Sequence, residues 1–109
     1  LNVAETDADV WSGAATGETT HTSAAVRRVY RELLAFGVSD AYRDLHGDEV
    51  AYTYWDYRAG ALRKNEGWRI DVALCTPPLR ARLLSCSVDR EVRGWPQSSD
   101  HAPLVVSLR

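Results

Sequence analysis

The chain reads as a mixed α/β protein with a sheet at its centre, and three features predict this class. Val26, Val29, Tyr30, Leu33 and Leu34 recur at helical spacing, with Arg27, Arg28, Arg31 and Glu32 filling the other face. Tyr52-Thr53-Tyr54-Trp55-Asp56-Tyr57 is aromatic and β-branched, the composition of a strand. Leu104–Leu108 is a closing apolar run of strand length. Helical and strand segments intermix without repeats or low-complexity tracts, so both belong to one layered body.

The elements follow in order. Leu1–Ala4 reads as the tail of a buried strand, and Glu5–His21, rich in Gly, Thr and Asp, as a loop. Thr22 or Ser23 can cap a helix running to about Phe36, with Gly37 as its stop. Asp40–Glu49 is a polar connector before the Tyr52–Tyr57 strand. Arg58–Gly67, basic with two glycines, predicts a loop. Trp68–Thr76 returns to strand character through Ile70, Val72, Ala73 and Leu74 until Pro77-Pro78 breaks it. Leu79–Leu84 predicts a short helix with Pro78 in its first turn. Ser85–Val92 predicts a strand, and Arg93–Ser99 a loop holding Gly94 and Pro96.

Length and composition bound the possibilities. At 109 residues the chain suffices for one small domain but not two. Apolar content of 45% and charged content of 26% are ordinary for a globular protein. No apolar run reaches the roughly 18 residues of a membrane span. Leu1–Val10 carries acids and no base, unlike a signal peptide. The absence of methionine carries the expectation that the chain starts inside a longer protein. Cys75 and Cys86 make neither a disulfide framework nor a metal cluster, and read as small buried thiols in a reducing compartment. Residues 1–50 hold 4 basic and 9 acidic groups, and residues 51–109 hold 9 basic and 6 acidic. The basic half is also the aromatic half, so a polyanion would be drawn there.

Three constellations carry chemistry. The first is the aromatic block Tyr52–Tyr57 with Arg58 and, beyond the loop, Asn65-Glu66-Gly67-Trp68-Arg69-Ile70-Asp71. Aromatics at the mouth of a basic loop can grip a nucleic-acid backbone and fill a gap in a base stack. Trp55 reads as core and Trp68 as exposed. The second is Asp71, a carboxylate in an apolar strand, which must be paired or bear a cation. An ion pair with Arg69 competes with pairing to His101, and the latter is preferred. The third is Ser98-Ser99-Asp100-His101, placed where a loop enters the last strand. An imidazole between two carboxylates suits phosphate chemistry, because one can fix its tautomer while the other binds a cation. Asn2 is either a turn residue or a holder of phosphate or metal-bound water.

The block YTYWDYRAGALRKNEGWRID (residues 52–71) and the closing SSDHAPLVVSL resemble the C-terminal half of the exonuclease III family of apurinic/apyrimidinic endonucleases, in the endonuclease/exonuclease/phosphatase group. Leu1-Asn2-Val3 is similar to the tail of that family's Gly-Asp-x-Asn motif. Arg31–Tyr42 is similar to its helix and following turn, so the resemblance spans nearly the whole chain.

The resemblance implies a two-sheet α/β sandwich of the DNase I-like type, of which residues 1–109 would be the C-terminal part. It implies Mg²⁺-dependent, or Mn²⁺-dependent, hydrolysis of the phosphodiester 5′ to an abasic site, with 3′→5′ exonuclease activity. Asn2 would contact the scissile phosphate and help arrange the metal. Asp71 would orient His101, which would donate to a phosphate oxygen, and Asp100 would be a metal-site carboxylate. Tyr54, Trp68 and Ile70 would line the pocket for the flipped abasic sugar, Arg58 would enter the adjoining groove, and Asn65 would touch backbone phosphate. The partner would be double-stranded DNA with abasic sites or 3′ ends. No membrane is implied, and the full-length protein would be a cytoplasmic monomer acting on the nucleoid.

The family's N-terminal half, with a metal-binding Glu, an Asn, a catalytic Tyr and the water-activating Asp, has no counterpart in these residues. The chain alone is therefore expected to be inactive. Two alternatives stand beside this reading: a phosphodiesterase or phosphatase of the same group acting on a non-DNA headgroup, and a non-catalytic DNA-binding fragment.

Overall fold

Ser23 begins the longest element. Its hydroxyl accepts from the Val26 amide, capping α1 (Ala24–Ala35) in a computed structural model that describes residues 1–12, 14 and 19–109. The helix ends at Phe36, and Gly37 follows at φ +126°, as the stop signal predicts. Tyr30 is buried, but Val29 is 61% exposed. Leu1 and Val3 line an open apolar groove with Ala25, Val26, Val29, Tyr30 and Leu33 of α1. Arg27 and Arg31 do not line a purely solvated face. Arg27 donates to the Ala4 carbonyl at 2.8 Å and to Asp7 at 3.0 Å, and Arg31 donates to the Glu5 carbonyl. These bonds clamp the N-terminal segment onto the helix.

That segment departs from the predicted strand. Asn2 takes φ +54°, which extended backbone does not allow, and Leu1 is exposed. The following loop holds a 3₁₀ turn at Asp7–Asp9 and a bridge from Val10 to Trp68. Its positions 13 and 15–18 lie outside the described residues.

The polar connector Asp40–Glu49 is a second departure. Ser39–Asp40 (β1) pairs antiparallel with Leu74–Cys75 (β2), and Ala41–His46 forms a helix (α2). Asp40 caps α2 by accepting from the Tyr42 and Arg43 amides. Its polar sequence hid the buried pair Ala41 and Tyr42.

Strand character in 52–57 and 68–76 becomes mostly isolated bridges. Tyr54 bridges Trp68 on one side and His101 on the other, both antiparallel. Within the predicted loop 58–67, Ala61–Lys64 turn into a short helix (α3). The helix predicted at Leu79–Leu84 sits earlier, at Pro77–Arg80 (α4), because both prolines fit its first turn, where no amide donor is needed. Leu83–Val88 is then strand (β3), and Arg90–Arg93, predicted as the end of that strand and the start of a loop, is a helical turn (α5). Leu104–Leu108 (β4) pairs antiparallel with β3, Val88 opposite Leu104 and Cys86 opposite Val106.

Two cores hold these pieces. Ala41, Tyr42, Cys75 and Cys86 pack with Leu83, Leu104 and Val106 beneath α2. Trp55, Ala61 and Ala102 pack with Tyr52, Leu62 and Val88. Trp55 is core as expected, and both cysteines are buried free thiols. Among the described residues no helix is long and apolar enough to cross a membrane.

A charged network joins the halves. Arg69, 2% exposed, donates through Nε to Asp9 at 3.1 Å and through Nη2 to Asp40. Arg43 reaches both oxygens of Asp9 at 3.0 and 3.1 Å, and Tyr30 donates to Asp40 at 3.5 Å. Burial and the Asp40 carboxylate push the Tyr30 phenol well above its ordinary range.

Candidate active site

The site is built on three backbone segments that the bridges lay side by side. Trp68 N donates to Tyr54 O at 2.9 Å, and Tyr54 N returns to Trp68 O at 3.0 Å. On the other side Trp55 N donates to Asp100 O and Ala102 N to Thr53 O. Directly paired antiparallel residues project to one face, so Tyr54, Trp68 and His101 share a surface. Thr53 registers the segments, because its hydroxyl accepts from both the Ile70 and Asp71 amides at 3.1 Å.

His101 Nδ1 lies 2.6 Å from Asp71 Oδ2. A carboxylate accepts only, so Nδ1 carries the proton and Nε2 is the open nitrogen. Asp100 Oδ1 lies 3.9 Å from that Nε2, close enough for attraction but too far for a hydrogen bond. All three side chains are about one-third exposed, at the rim rather than in the core. Asp71 pairs with His101 and leaves Arg69 to Asp9 and Asp40. The Tyr54 ring stands 5.2 Å from the imidazole. Burial, and then the charges of Asp56 and Asp100, raise its phenol, so it stays a neutral hydroxyl donor.

The loop carrying His101 is held from behind. Arg93, 7% exposed, donates to the Trp55 carbonyl at 2.8 Å and lies over the Tyr57 ring. Tyr57 in turn donates to the Ser98 carbonyl at 2.8 Å. Sequence reading placed Arg93 at the start of an ordinary loop, and a basic residue there gives no sign of such burial.

Other residues singled out from sequence sit differently. Asn2 is exposed, but the Val3 amide bonds the Ile70 carbonyl, which sets Asn2 beside the Asp71 strand. Trp68 is half-buried rather than exposed, with the His21 ring edge-on at 5.6 Å. Ile70 is 1% exposed, with the N-terminal segment paired onto it, and so offers no surface to a sugar. Arg58 is exposed, yet its guanidinium makes two bonds to Asp56 and holds that carboxyl below its usual range. Asn65 is exposed, and its Oδ1 accepts from the Trp55 indole at 3.1 Å.

Among the described residues no three His, Cys, Asp or Glu side chains gather as a metal ligand set. Beyond the His101 ring at 3.9 Å, Asp100 has no side-chain hydrogen-bond or ion-pair partner in the described part of the chain. Among the described residues the donors gathered there are too few to hold a cation unaided.

Comparison with known proteins places this arrangement. No protein-family model matches the chain. It is 34% identical to an exodeoxyribonuclease of Bacillus subtilis (strain 168) over 105 residues, which is 95% of this chain and 40% of that protein. It superposes with TM-score 0.93 and 34% identity on a 3′ phosphatase from Neisseria bound to a product DNA hairpin, covering 99% of this chain and 42% of that one. An AP endonuclease from Archaeoglobus fulgidus gives TM-score 0.91 and 38% identity, covering 98% and 42%. The chain thus spans about two-fifths of the length of these proteins. Its small sheets and helices form part of the DNase I-like α/β architecture they share. With the paired Asp71 and His101 beside Tyr54 and Trp68, the chain is similar along nearly its whole length to part of the exonuclease III-like apurinic/apyrimidinic endonucleases.

Proposed function

We propose that the chain carries the histidine side of a DNA-repair phosphodiesterase site that cuts 5′ to an abasic sugar and trims 3′ ends of double-stranded DNA. The observation that carries this is the His101–Asp71 bond of 2.6 Å, set on one face with Tyr54 and Trp68. Asp71 keeps Nδ1 protonated and aims the ring. When protonated, Nε2 is a donor for a non-bridging phosphate oxygen, where charge grows as water attacks. Tyr54 and Trp68 form an aromatic wall that suits a sugar without a base, whose extrusion breaks no base pair.

When bound, Mg²⁺, or Mn²⁺ in its place, would neutralise charge on the phosphate and leaving oxygen. Asp100 and Asn2 would be among its ligands, with the rest supplied from outside the described residues. The same reading places the whole protein in the cytoplasm as a monomer.

The test compares the chain alone with the chain joined to the N-terminal half of a family relative, on abasic duplex with Mg²⁺. Nicking by the joined protein and none by the chain alone is expected. Cutting by the chain alone would refute the need for outside groups. Abasic-DNA binding without cutting by the joined protein would instead favour a non-catalytic DNA-binding role. Hydrolysis of phosphoinositides in preference to abasic duplex would move the assignment to a headgroup phosphatase.

A further inference from the structure

The His21 side chain touches both the Asn2 segment and the aromatic wall. Its backbone is fixed on both sides. Its amide donates to Thr19 Oγ1 at 3.1 Å, and its carbonyl accepts from the Ala4 amide at 2.9 Å. The Ser23 cap of α1 follows two residues later. The ring is thereby delivered to a defined place. Nδ1 lies 2.7 Å from the Asn2 carbonyl, across 19 residues of sequence. The ring meets Trp68 edge-on at 5.6 Å and stands 6.4 Å from Tyr54, whose own ring is 5.2 Å from His101.

Each contact has a specific consequence. A carbonyl can only accept, so Nδ1 must donate, and the bond pins Asn2 in its left-handed conformation at φ +54°. The edge-on contact restricts the Trp68 indole on the side where His21 stands. His21 thus couples the Asn2 backbone to Trp68.

We propose that His21 is a positioning residue of the abasic-sugar pocket: it holds Asn2 through Nδ1 and braces Trp68 through its ring, so that both keep one pose relative to His101. This rests on the abasic-site reading above. His21 acts through its neighbours.

The test uses the joined protein described above in two measurements. Long-range ¹H–¹⁵N correlation spectra should show neutral His21 as the Nδ1–H tautomer, and the Nε2–H tautomer would overturn the proposal. Affinities are then compared for a duplex with a tetrahydrofuran abasic analogue and for the intact duplex. In His21→Ala the abasic preference should fall about tenfold or more, since a ring contact and a hydrogen bond are each worth roughly threefold to tenfold in an equilibrium. His21→Phe keeps the ring and His21→Asn keeps a donor near Nδ1, so each should recover part of the loss. A merely structural role would shift the unfolding midpoint and weaken both duplexes alike. A wild-type joined protein without abasic preference would sink the functional reading and this proposal with it. A wild-type preference that survives His21→Ala would overturn the positioning role alone.

Discussion

Replacing Arg69 by Met should be the most damaging single change away from the candidate site. Arg69 is 2% exposed and answers two carboxylates, Asp9 at 0% and Asp40 at 4% exposure. Met fills similar volume, so little cavity forms, and the loss is electrostatic. Breaking one partner out of a buried ion pair costs about 3–5 kcal/mol. The lower end applies here, because Asp9 keeps Arg43 and Thr6, and Asp40 keeps the α2 amides and the Tyr30 hydroxyl. A loss of about 3 kcal/mol is a large fraction of the roughly 5–15 kcal/mol that holds a domain of this size. With a slope of about 1.5–2 kcal/mol/M, the urea midpoint at pH 7 should fall by about 1.5–2 M, followed by circular dichroism. Adding Asp40→Asn to Arg69→Met should recover at least about 1 kcal/mol, since the residual cost is an uncompensated buried charge. A fall under about 1 kcal/mol for Arg69→Met, or no recovery in the double variant, would show that the network does not hold the halves together.

Further outcomes follow from the same geometry. Asp71→Asn in the joined protein should lower kcat roughly 10- to 100-fold with little change in KM, as loss of a ligand-orienting partner does, and an unchanged kcat would remove Asp71 from the mechanism. Gly67→Ala would set its Cβ 2.6 Å from the Cβ and ring of Tyr52, so the aromatic block must shift; about 1–3 kcal/mol of stability should be lost, read by thermal unfolding. Burial foremost raises the phenols of Tyr30, Tyr42, Tyr52 and Tyr54. Their contribution to stability is full below the ordinary tyrosine value of about 10 and is lost as pH rises toward the raised folded values. In a Tyr57→Phe variant, which removes the exposed tyrosine, absorbance at 295 nm should therefore rise only above the ordinary tyrosine range, and full reversible ionisation near pH 10 in the intact fold would contradict the burial.

The helix at Ala24–Ala35 and the closing strand were legible because each follows a local rule, a capped 3.6-residue period and an apolar run. The pairing of Asp71 with His101 was legible from chemistry, since a carboxylate in an apolar strand needs a partner. What stayed hidden was decided by distant contacts. α2 looks polar because its buried face is only Ala41 and Tyr42, and its cap, Asp40, is also spent on Arg69. Tyr52–Tyr57 has strand composition, but its partners are short segments on each side, so the ladder never lengthens beyond bridges. His21 and Arg93 carried no local signal; their partners lie 19 and 38 residues away.

The hydroxyl of Thr53 is spent three times over: it donates toward the Trp68 carbonyl and accepts from two successive amides. Valine would match its outline and leave the Ile70 and Asp71 amides without that acceptor in a dry interior. One oxygen atom therefore acts as a latch between the aromatic wall and the acid that aims the imidazole. Drift through sequence variation at this point is narrowed to serine, the other small side chain with an oxygen on its β-carbon.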